Sequence, residues 1–211
     1  MELNTYPLVC TRGVVLYPNQ EIVIDVGRDT SVHAVENAQD NYDKKICLFS
    51  QKELEQENPG KEDIYPVGTL CEVRHIRRFD NFLRVKFRGI KRVKLNNWIN
   101  GSLSDLAEVE ILESEKQDAV EEEALIRMIA DELDRMQGQD RFVTKEIVME
   151  ISKGMGGEFL SDKAVQGLPL DIERKQQYLE TLGVNDRLMM LLQDMAKEKK
   201  MSEVEQQINE T

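Results

Sequence analysis

The chain has 211 residues, a formal net charge of −12 at neutral pH, and 40% hydrophobic and 32% charged residues. This composition is typical of a soluble globular protein with one large or two small domains. The negative charge argues against general nucleic-acid binding, because phosphate binding needs a positive field. No apolar run approaches the roughly 20 residues of a membrane-spanning helix. Since no secretory signal opens the sequence, we expect a cytoplasmic protein.

In the first part of the chain, to residue 118, apolar residues tend to recur at every second position, and this pattern predicts β-strands. The predicted strand regions are residues 8–17, 22–26, 46–49, 71–95 and 103–112, of which 46–49 is a short continuous apolar run and is therefore predicted to be a buried strand. Thr30 or Ser31 is a candidate cap for one short helix between the second and third of these regions. Several short strands with one early helix predict a small, mostly β, barrel-like domain.

A β-hairpin is the clearest local prediction. Apolar residues alternate with charged ones on both sides of Asp80 and Asn81, and both residue types tolerate the backbone of a two-residue hairpin turn. Gly89 is predicted to break the second strand of this hairpin, which resumes at residues 90–95.

The second part of the chain has an apolar spacing of three and four residues, which predicts five helices. Glycines are predicted to end the first four, at Gly138, Gly154, Gly167 and Gly183. Asp171 is a candidate cap for the fourth helix, and Asn185 or Asp186 for the fifth. From residue 196 the pattern thins, so residues 196–211 are predicted to begin a longer helix that needs a partner.

Searches for catalytic and metal-binding motifs give little. Phosphate-loop, HExxH, GxSxG and CxxC sequences are absent, and the glycines of residues 154–157 are interpreted as a joint between helices. Serine lies near lysine at Ser152-Lys153 and at Ser161 and Lys163, but these residues are flanked by polar ones, whereas Ser-Lys catalysis needs a buried, neutral lysine. We therefore expect no catalytic residue, cofactor or metal site in this chain.

The three cysteines, Cys10, Cys47 and Cys71, lie far apart in apolar stretches. This pattern predicts reduced, buried thiols in a cytosolic protein. A metal site would need His33 and His75 to join them in space, and their sequence spacing does not support one.

Residues 74–94 are basic although the chain as a whole is acidic: they include nine Lys or Arg residues and one acidic residue. One interpretation is a basic surface for a nucleic acid or an acidic peptide. The favoured one is the solvated face of a half-buried hairpin, whose cations protect its strands from edge pairing.

Four residues are candidates for contact with a protein substrate: Tyr17, Pro18, Phe79 and Phe82. Phe79 and Phe82 flank the hairpin turn, where exposed aromatic side chains are good contacts for unfolded chains. The alternative is a cross-strand pair folded onto the sheet. For Tyr17 and Pro18, packing in the core is the slightly favoured alternative.

Several blocks of the sequence together resemble the amino-terminal region of ATP-dependent Lon proteases of the bacterial LonA type. These blocks are PLVCTRGVVLYP at residues 7–18, IYPVGTL at 64–70, VKFRGIKR at 85–92, LPLDIERKQQYLE at 168–180 and VNDRL at 184–188. Cys10 and Thr11 stand where the family usually has Pro-Leu, and Phe79 to Phe82 replace a common Pro-Asp-Gly turn.

The resemblance implies an α+β protein in which a PUA-like β domain precedes an α-helical bundle. The expected divisions are a β-rich, substrate-engaging domain at residues 1–118, the bundle at 119–195, and the start of a long helix at 196–211. The chain would then end before the ATPase and Ser-Lys peptidase parts, which use ATP and magnesium in the parent protease.

The family assembles as a hexamer whose amino-terminal regions bind unfolded or damaged proteins. The resemblance therefore implies a homo-oligomeric parent with protein substrates. The composition predicts no membrane partner, and the net charge of −12 argues against a nucleic-acid partner through this region. Two alternatives stay open: a structural or oligomerisation scaffold of the same protease, and a stand-alone protein of the substrate-binding domain.

Overall fold

A computed structural model of the chain describes residues 4–136 and 144–210. The strands in this part are β1 (Asn4–Thr11), β2 (Glu21–Val26), β3 (Lys45–Ser50), β4 (Val67–Arg78), β5 (Leu83–Ile99) and β6 (Leu106–Leu112). The helices are α1 (Asp29–Asn41), α2 (Ala119–Arg135), α3 (Thr144–Ser152), α4 (Gly157–Gly167), α5 (Ile172–Glu180) and α6 (Val184–Asn209). The chain divides into two compact units, Met1–Glu113 with Leu170–Glu180, and Ser114–Pro169 with Thr181–Thr211.

The strands of unit 1 form one mixed sheet in the order β2-β5-β4-β3-β1-β6, and β6 also pairs with β5. β1 is parallel to β3, and the other pairs are antiparallel. The α+β class predicted from the sequence is confirmed. The expected barrel needs a correction: the sheet is not a closed barrel in which every strand has two neighbours, because among the described strands β2 pairs with β5 alone.

Two apolar clusters form the core of unit 1, and β3 contributes to both. Ile46 and Leu48 belong to the cluster that includes Val35 of α1, while Cys47 and Phe49 belong to the second cluster. Because successive strand residues point to opposite faces, burial of both faces explains the continuous apolar run that predicted this strand.

The hairpin prediction is confirmed, but the predicted break at Gly89 is wrong. β5 continues through Gly89, where the register with β4 shifts near Cys71. A Cβ atom on Gly89 would lie 2.2 Å from the backbone oxygen of Tyr17. The glycine therefore allows the turn after Tyr17 to approach the strand, and it does not interrupt the strand.

Helix α5 lies in unit 1, although the sequence placed it in the helical bundle of residues 119–195. Asp171 caps it as predicted, since its Oδ1 accepts a 2.8 Å hydrogen bond from the Arg174 amide. Gln176 Nε2 donates to the Val67 carbonyl at 2.8 Å, and the buried Arg92 donates through Nε to the Leu179 carbonyl at 3.0 Å. These bonds to β4 and β5 are the physical reason that α5 belongs with the sheet.

Unit 2 contains α2, α3, α4 and α6, and its buried residues recur at the predicted helical spacing. The most deeply buried apolar ones are Ile129, Leu133, Leu160, Ala164, Val165, Leu188, Leu191 and Met195. Helix α6 runs without interruption to Asn209, so the segment predicted to begin a longer helix continues this one. The predicted helix end at Gly138 lies outside the described residues.

Two predicted helix caps are wrong. Arg28 occupies the cap position of helix α1 and Gly183 that of helix α6, and neither residue makes a side-chain capping hydrogen bond. Asn185 instead bonds the Asp118 carbonyl and the Glu121 carboxylate through Nδ2, at 2.9 Å each. Its side chain thus joins the starts of α6 and α2.

Candidate functional site

The turn between β4 and β5 brings two of the four candidate residues together. β4 ends at Arg78 and β5 begins at Leu83, and the Phe79 amide donates a 2.9 Å hydrogen bond to the Phe82 carbonyl. The rings of Phe79 and Phe82 stack, with centroids 4.6 Å apart and planes at 12°. Both side chains remain partly exposed to solvent.

Two arginines complete this arrangement, which we call the tip cluster: Arg77, Phe79, Phe82 and Arg84. The Arg77 guanidinium lies 5.0 Å from the Phe79 ring centroid, and the Arg84 guanidinium lies 5.3 Å from Phe79 and 5.7 Å from Phe82. These distances are those of cation–π contacts. The tip cluster thus combines an apolar stack with positive charge.

Asp25 of β2 fixes the position of Arg84. Arg84 donates through Nε and a terminal nitrogen to the two Asp25 oxygens, at 2.7 and 2.9 Å. These bonds lower the pKa of Asp25 and raise the pKa of Arg84, so both groups stay charged near neutral pH. A bidentate pair of this kind holds the guanidinium in one orientation beside the rings.

Tyr17 and Pro18 lie elsewhere and are buried. The Tyr17 side chain is 1% exposed, and its hydroxyl donates a 2.7 Å hydrogen bond to the Lys175 carbonyl. The core alternative therefore describes these two residues, and of the four candidates Phe79 and Phe82 are the two that solvent can reach.

The basic segment of residues 74–94 is largely neutralised within unit 1. Its ion pairs are Arg74–Glu72, Arg78–Glu36, Arg84–Asp25, Lys86–Glu21, Arg88–Glu21 and Lys91–Glu113. Arg92 is buried. These ion pairs fit the favoured interpretation of a solvated hairpin face, but β4 and β5 are interior strands of the sheet, so the cations do not protect an edge.

The serine–lysine pairs of unit 2 lack the arrangement of a nucleophile and its base. Burial lowers the pKa of Lys163, but hydrogen bonds to Glu150 and Glu146 outweigh it and hold the pKa above its ordinary value. Ser161 Oγ donates a 3.0 Å hydrogen bond to the Glu158 carbonyl and accepts a 3.1 Å hydrogen bond from Arg187 Nε. Lys163 is thus a protonated surface cation.

The three cysteines are buried and free, as the sequence predicted. Burial raises the pKa of Cys10 to about 12 and raises those of Cys47 and Cys71 as well. Because the thiolate is the reactive form, these side chains behave as small apolar core residues.

Unit 2 has a groove that the sequence did not predict, with apolar side chains lined on either side by charged ones. Met128 and Met189, which are 56% and 43% exposed, line a groove of about 880 Å³ between α2 and α6 together with Leu192 and Ala196. The helical periodicity of the second part of the chain did not predict this groove, because periodicity identifies an apolar face without showing what covers it. Within residues 4–136 and 144–210, no helix is long and apolar enough to cross a membrane.

A mixed sheet with an added helix and a second, helical unit define an α+β protein, and two stacked, partly exposed phenylalanines mark its β4–β5 turn. Residues 5–197 match the model of the "ATP-dependent protease La (LON) substrate-binding domain", and the chain belongs to this family.

Curated relatives and solved structures agree with this assignment. Lon protease of Syntrophomonas wolfei is 34% identical over 212 residues, which span 99% of this chain and 26% of that protein. Lon protease of Buchnera aphidicola subsp. Acyrthosiphon pisum (strain APS) is 30% identical over 208 residues, which span 98% of this chain and 27% of that protein. This chain therefore spans about a quarter of the length of these relatives.

Two solved structures share the fold at low sequence identity. The N-terminal domain of Mycobacterium avium complex Lon protease superposes with a TM-score of 0.75 at 18% identity, over 92% of this chain and 98% of that one. A Lon N-terminal domain protein from Xanthomonas campestris gives 0.61 at 17% identity, over 90% and 97% of the two chains.

Proposed function

We propose that this chain recognises unfolded or damaged protein segments and presents them to the ATP-dependent serine peptidase of a Lon protease, without catalysing a reaction itself. The tip cluster is the observation that carries this proposal. It places two stacked, partly exposed aromatic rings at a hairpin turn, where a passing polypeptide can reach them.

The chemistry of the tip cluster fits weak recognition of many sequences. Fully burying a phenylalanine side chain against a partner contributes about 1.5–3 kcal/mol. The stack and the Arg84–Asp25 pair hold the rings and one guanidinium in place before binding, which lowers the entropy cost of binding. In a hexameric parent, several such weak sites would act together through avidity.

Titration with an unfolded protein tests this role. The probe is reduced and carboxymethylated α-lactalbumin, and binding is followed by backbone amide chemical shifts of the full chain. We expect the double variant Phe79→Ser and Phe82→Ser to bind about tenfold more weakly, because the two rings are already stacked and partly buried and gain only part of the full burial on binding. Val120→Ser removes another exposed apolar side chain, 78% exposed on α2, and serves as the control. Equal affinity of the wild type and the double variant would remove the tip cluster from the proposal.

The α2–α6 groove supports a second role for unit 2, in contacts between copies of the chain. Exposed methionines on a surface of this kind are adaptable apolar contacts. We expect sedimentation velocity of the wild type to show concentration-dependent self-association that Met128→Glu with Met189→Glu abolishes. A wild type that stays monomeric at high concentration would exclude this role for the isolated chain.

A further inference from the structure

Strand β2 has one edge without a strand partner. Its residues pair with β5 on one side, and in the described part of the chain no other backbone hydrogen bond involves residues 21–26. The Gly89 amide donates to the Gln20 carbonyl at 2.9 Å, which continues the β5 ladder by one residue. Because backbone groups alternate along an antiparallel strand, those of Glu21, Val23 and Asp25 point to the free side.

A groove of about 390 Å³ lies beside the second half of β2. Ile24 and Val26 line it from β2, Val9 lines it from β1, and Val14 lines it from the segment that follows β1. No described residue of β5 lines the groove, so it is on the unpartnered side of β2. β1 and β2 do not pair, and residues of both line this groove.

Two arginines give this groove a positive charge. Arg28 donates to the carbonyls of Cys10 and Glu57 and to the Gln51 side chain, at 2.6, 3.2 and 2.7 Å. Arg12 donates to the Gln56 carbonyl at 3.4 Å. All of these acceptors are neutral, and in residues 4–136 and 144–210 neither guanidinium forms an ion pair. A guanidinium has five N–H donors, so both arginines keep donors for a further acceptor.

The carboxylate that lines the groove does not neutralise these arginines. Asp25 is held by Arg84, on the β5 side of β2. Burial, and after it the positive charge of Arg12, lowers the pKa of Arg28, so its charged form is disfavoured in the absence of a nearby anion. A carboxylate placed in the groove would remove that cost and form charge-assisted hydrogen bonds.

We propose that the free edge of β2 accepts an extended segment of a protein substrate as an added strand, with an acidic side chain of that segment bound by Arg12 and Arg28. This inference rests on the proposed function and names a substrate class for it: segments in which apolar and acidic residues alternate. Strand addition relies on backbone hydrogen bonds and therefore tolerates many sequences, as a receptor for unfolded proteins requires. Because the chain as a whole is acidic, the local positive charge of Arg12 and Arg28 determines where along β2 an acidic side chain of the substrate binds.

The charges on β2 itself do not block this edge. Charged residues often protect an edge strand from pairing. Here Glu21 and Asp25 are paired with Lys86 and Arg84 of β5, so both carboxylates are drawn toward the partnered side. Val23, between them, is 56% exposed.

The experiment uses the full chain and two end-blocked peptides as long as β2, one alternating valine with glutamate and one alternating valine with lysine. Hydrogen exchange by NMR is measured with and without peptide. We expect the glutamate peptide to protect the amides of Val23 and Asp25, while those of Ile22 and Ile24, which face β5, change little. Binding without protection at Val23 and Asp25 would overturn strand addition.

Charge variants test the carboxylate contact. Arg12→Glu is expected to weaken binding of the glutamate peptide about tenfold, because it replaces an attraction by a repulsion. Lys116→Glu makes the same charge change at an exposed residue that does not line the groove and serves as the control. Fluorescence of Trp98, the single tryptophan, checks that both variants fold. Equal affinity for the two peptides, or no effect of Arg12→Glu, would overturn the acidic preference.

The outcomes also separate this inference from the proposed function. If the unfolded α-lactalbumin derivative binds through the tip cluster while the glutamate peptide does not bind, the edge proposal fails and the proposed function stands. If the glutamate peptide binds but the unfolded protein does not, the edge proposal and the proposed function are both overturned, because each requires binding of a protein substrate. Protection of Val23 that rises with protein concentration without peptide would assign the edge to a second copy of the chain and overturn the proposal.

Discussion

The Tyr17 hydroxyl donates a 2.7 Å hydrogen bond to the backbone carbonyl of Lys175, a residue 158 positions further along the chain. Tyr17 belongs to the turn region before β2, and Lys175 belongs to α5. Both lie in unit 1, so this bond helps to hold a late helix against an early part of the sequence. A residue predicted to be a candidate for substrate contact therefore acts in the assembly of the unit.

Removing this hydroxyl tests its contribution. We expect Tyr17→Phe to lower the free energy of unfolding of unit 1 by about 1 kcal/mol, since the Lys175 carbonyl loses a buried donor while the ring still fills its site. Urea unfolding followed by Trp98 fluorescence reports on unit 1. Tyr65→Phe is the control, with an expected change within about 0.5 kcal/mol because Tyr65 is only partly buried. Equal effects of the two substitutions would show that the hydrogen bond adds nothing.

Arg92 is expected to stabilise the end of α5. Its guanidinium donates to the carbonyls of Leu179 and Tyr178, at 3.0 and 3.4 Å, in the last turn of the helix, where carbonyls lack partners within the helix. We expect Arg92→Met to cost about 2 kcal/mol and to speed amide exchange in α5 more than in the central strands. Arg74→Met, at an exposed position, is the control. Uniform loss of protection across unit 1 would contradict a local role.

Gly89 is expected to tolerate no side chain. A Cβ atom there would lie 2.2 Å from the Tyr17 carbonyl oxygen. The Cβ atom is bonded to the backbone and the oxygen belongs to it, so neither atom can move away freely. We expect Gly89→Ala to destabilise the chain by about 3 kcal/mol, measured by urea unfolding. Gly156→Ala is the control, because its Cβ meets nothing within 4 Å and its φ is −74°. A neutral Gly89→Ala variant would show that the turn after Tyr17 moves away easily.

The Asp25–Arg84 pair predicts an acid-dependent change at the tip cluster. The hydrogen bonds from Arg84 hold the pKa of Asp25 below its ordinary value of 3.8. Because the folded-state pKa is lowered, the stabilisation is present above pH 3.8 and is lost as the pH falls through the folded value. We expect ¹³C NMR to place the Asp25 carboxyl midpoint below 3.8, with ring resonances of Phe79 and Phe82 shifting in the same pH range.

A charge variant supplies the control for this titration. Arg84→Met is expected to return the Asp25 midpoint towards 3.8, whereas Arg74→Met is expected to leave it where it is in the wild type. If Arg84→Met did not raise the midpoint, the hydrogen bonds would not be the cause of the shift.

The blocks that carry the family resemblance turn out to be packing and hydrogen-bonding positions. In the VKFRGIKR block, Gly89 allows a close backbone approach and Arg92 satisfies helix carbonyls. In the VNDRL block, the fully buried Arg187 donates to the Thr181 carbonyl and to the hydroxyls of Ser161 and Ser114. These arginines were visible in the sequence, but nothing in their spacing indicated burial, because arginine is ordinarily a surface residue.

The candidate site was predicted in part. The alternation around Asp80 and Asn81 predicted the turn, and the position of Phe79 and Phe82 on either side of it predicted their proximity. The contribution of Arg84 was not predicted, because its partner Asp25 lies 59 residues earlier on another strand. The free edge of β2 was not predicted either, since strand order is a property of the whole sheet.

The sequence by itself determined the periodicities, and through them the hairpin, the doubly buried strand β3, the helices of the second half and the family. Tertiary structure alone decided that α5 joins the sheet, that Tyr17 is buried and that β2 keeps an open edge. The physical reason is that apolar burial is non-directional: a stripe shows that a face must be covered, and only the folded chain determines which face covers it. Hydrogen bonds such as that from Tyr17 to Lys175 then fix that choice.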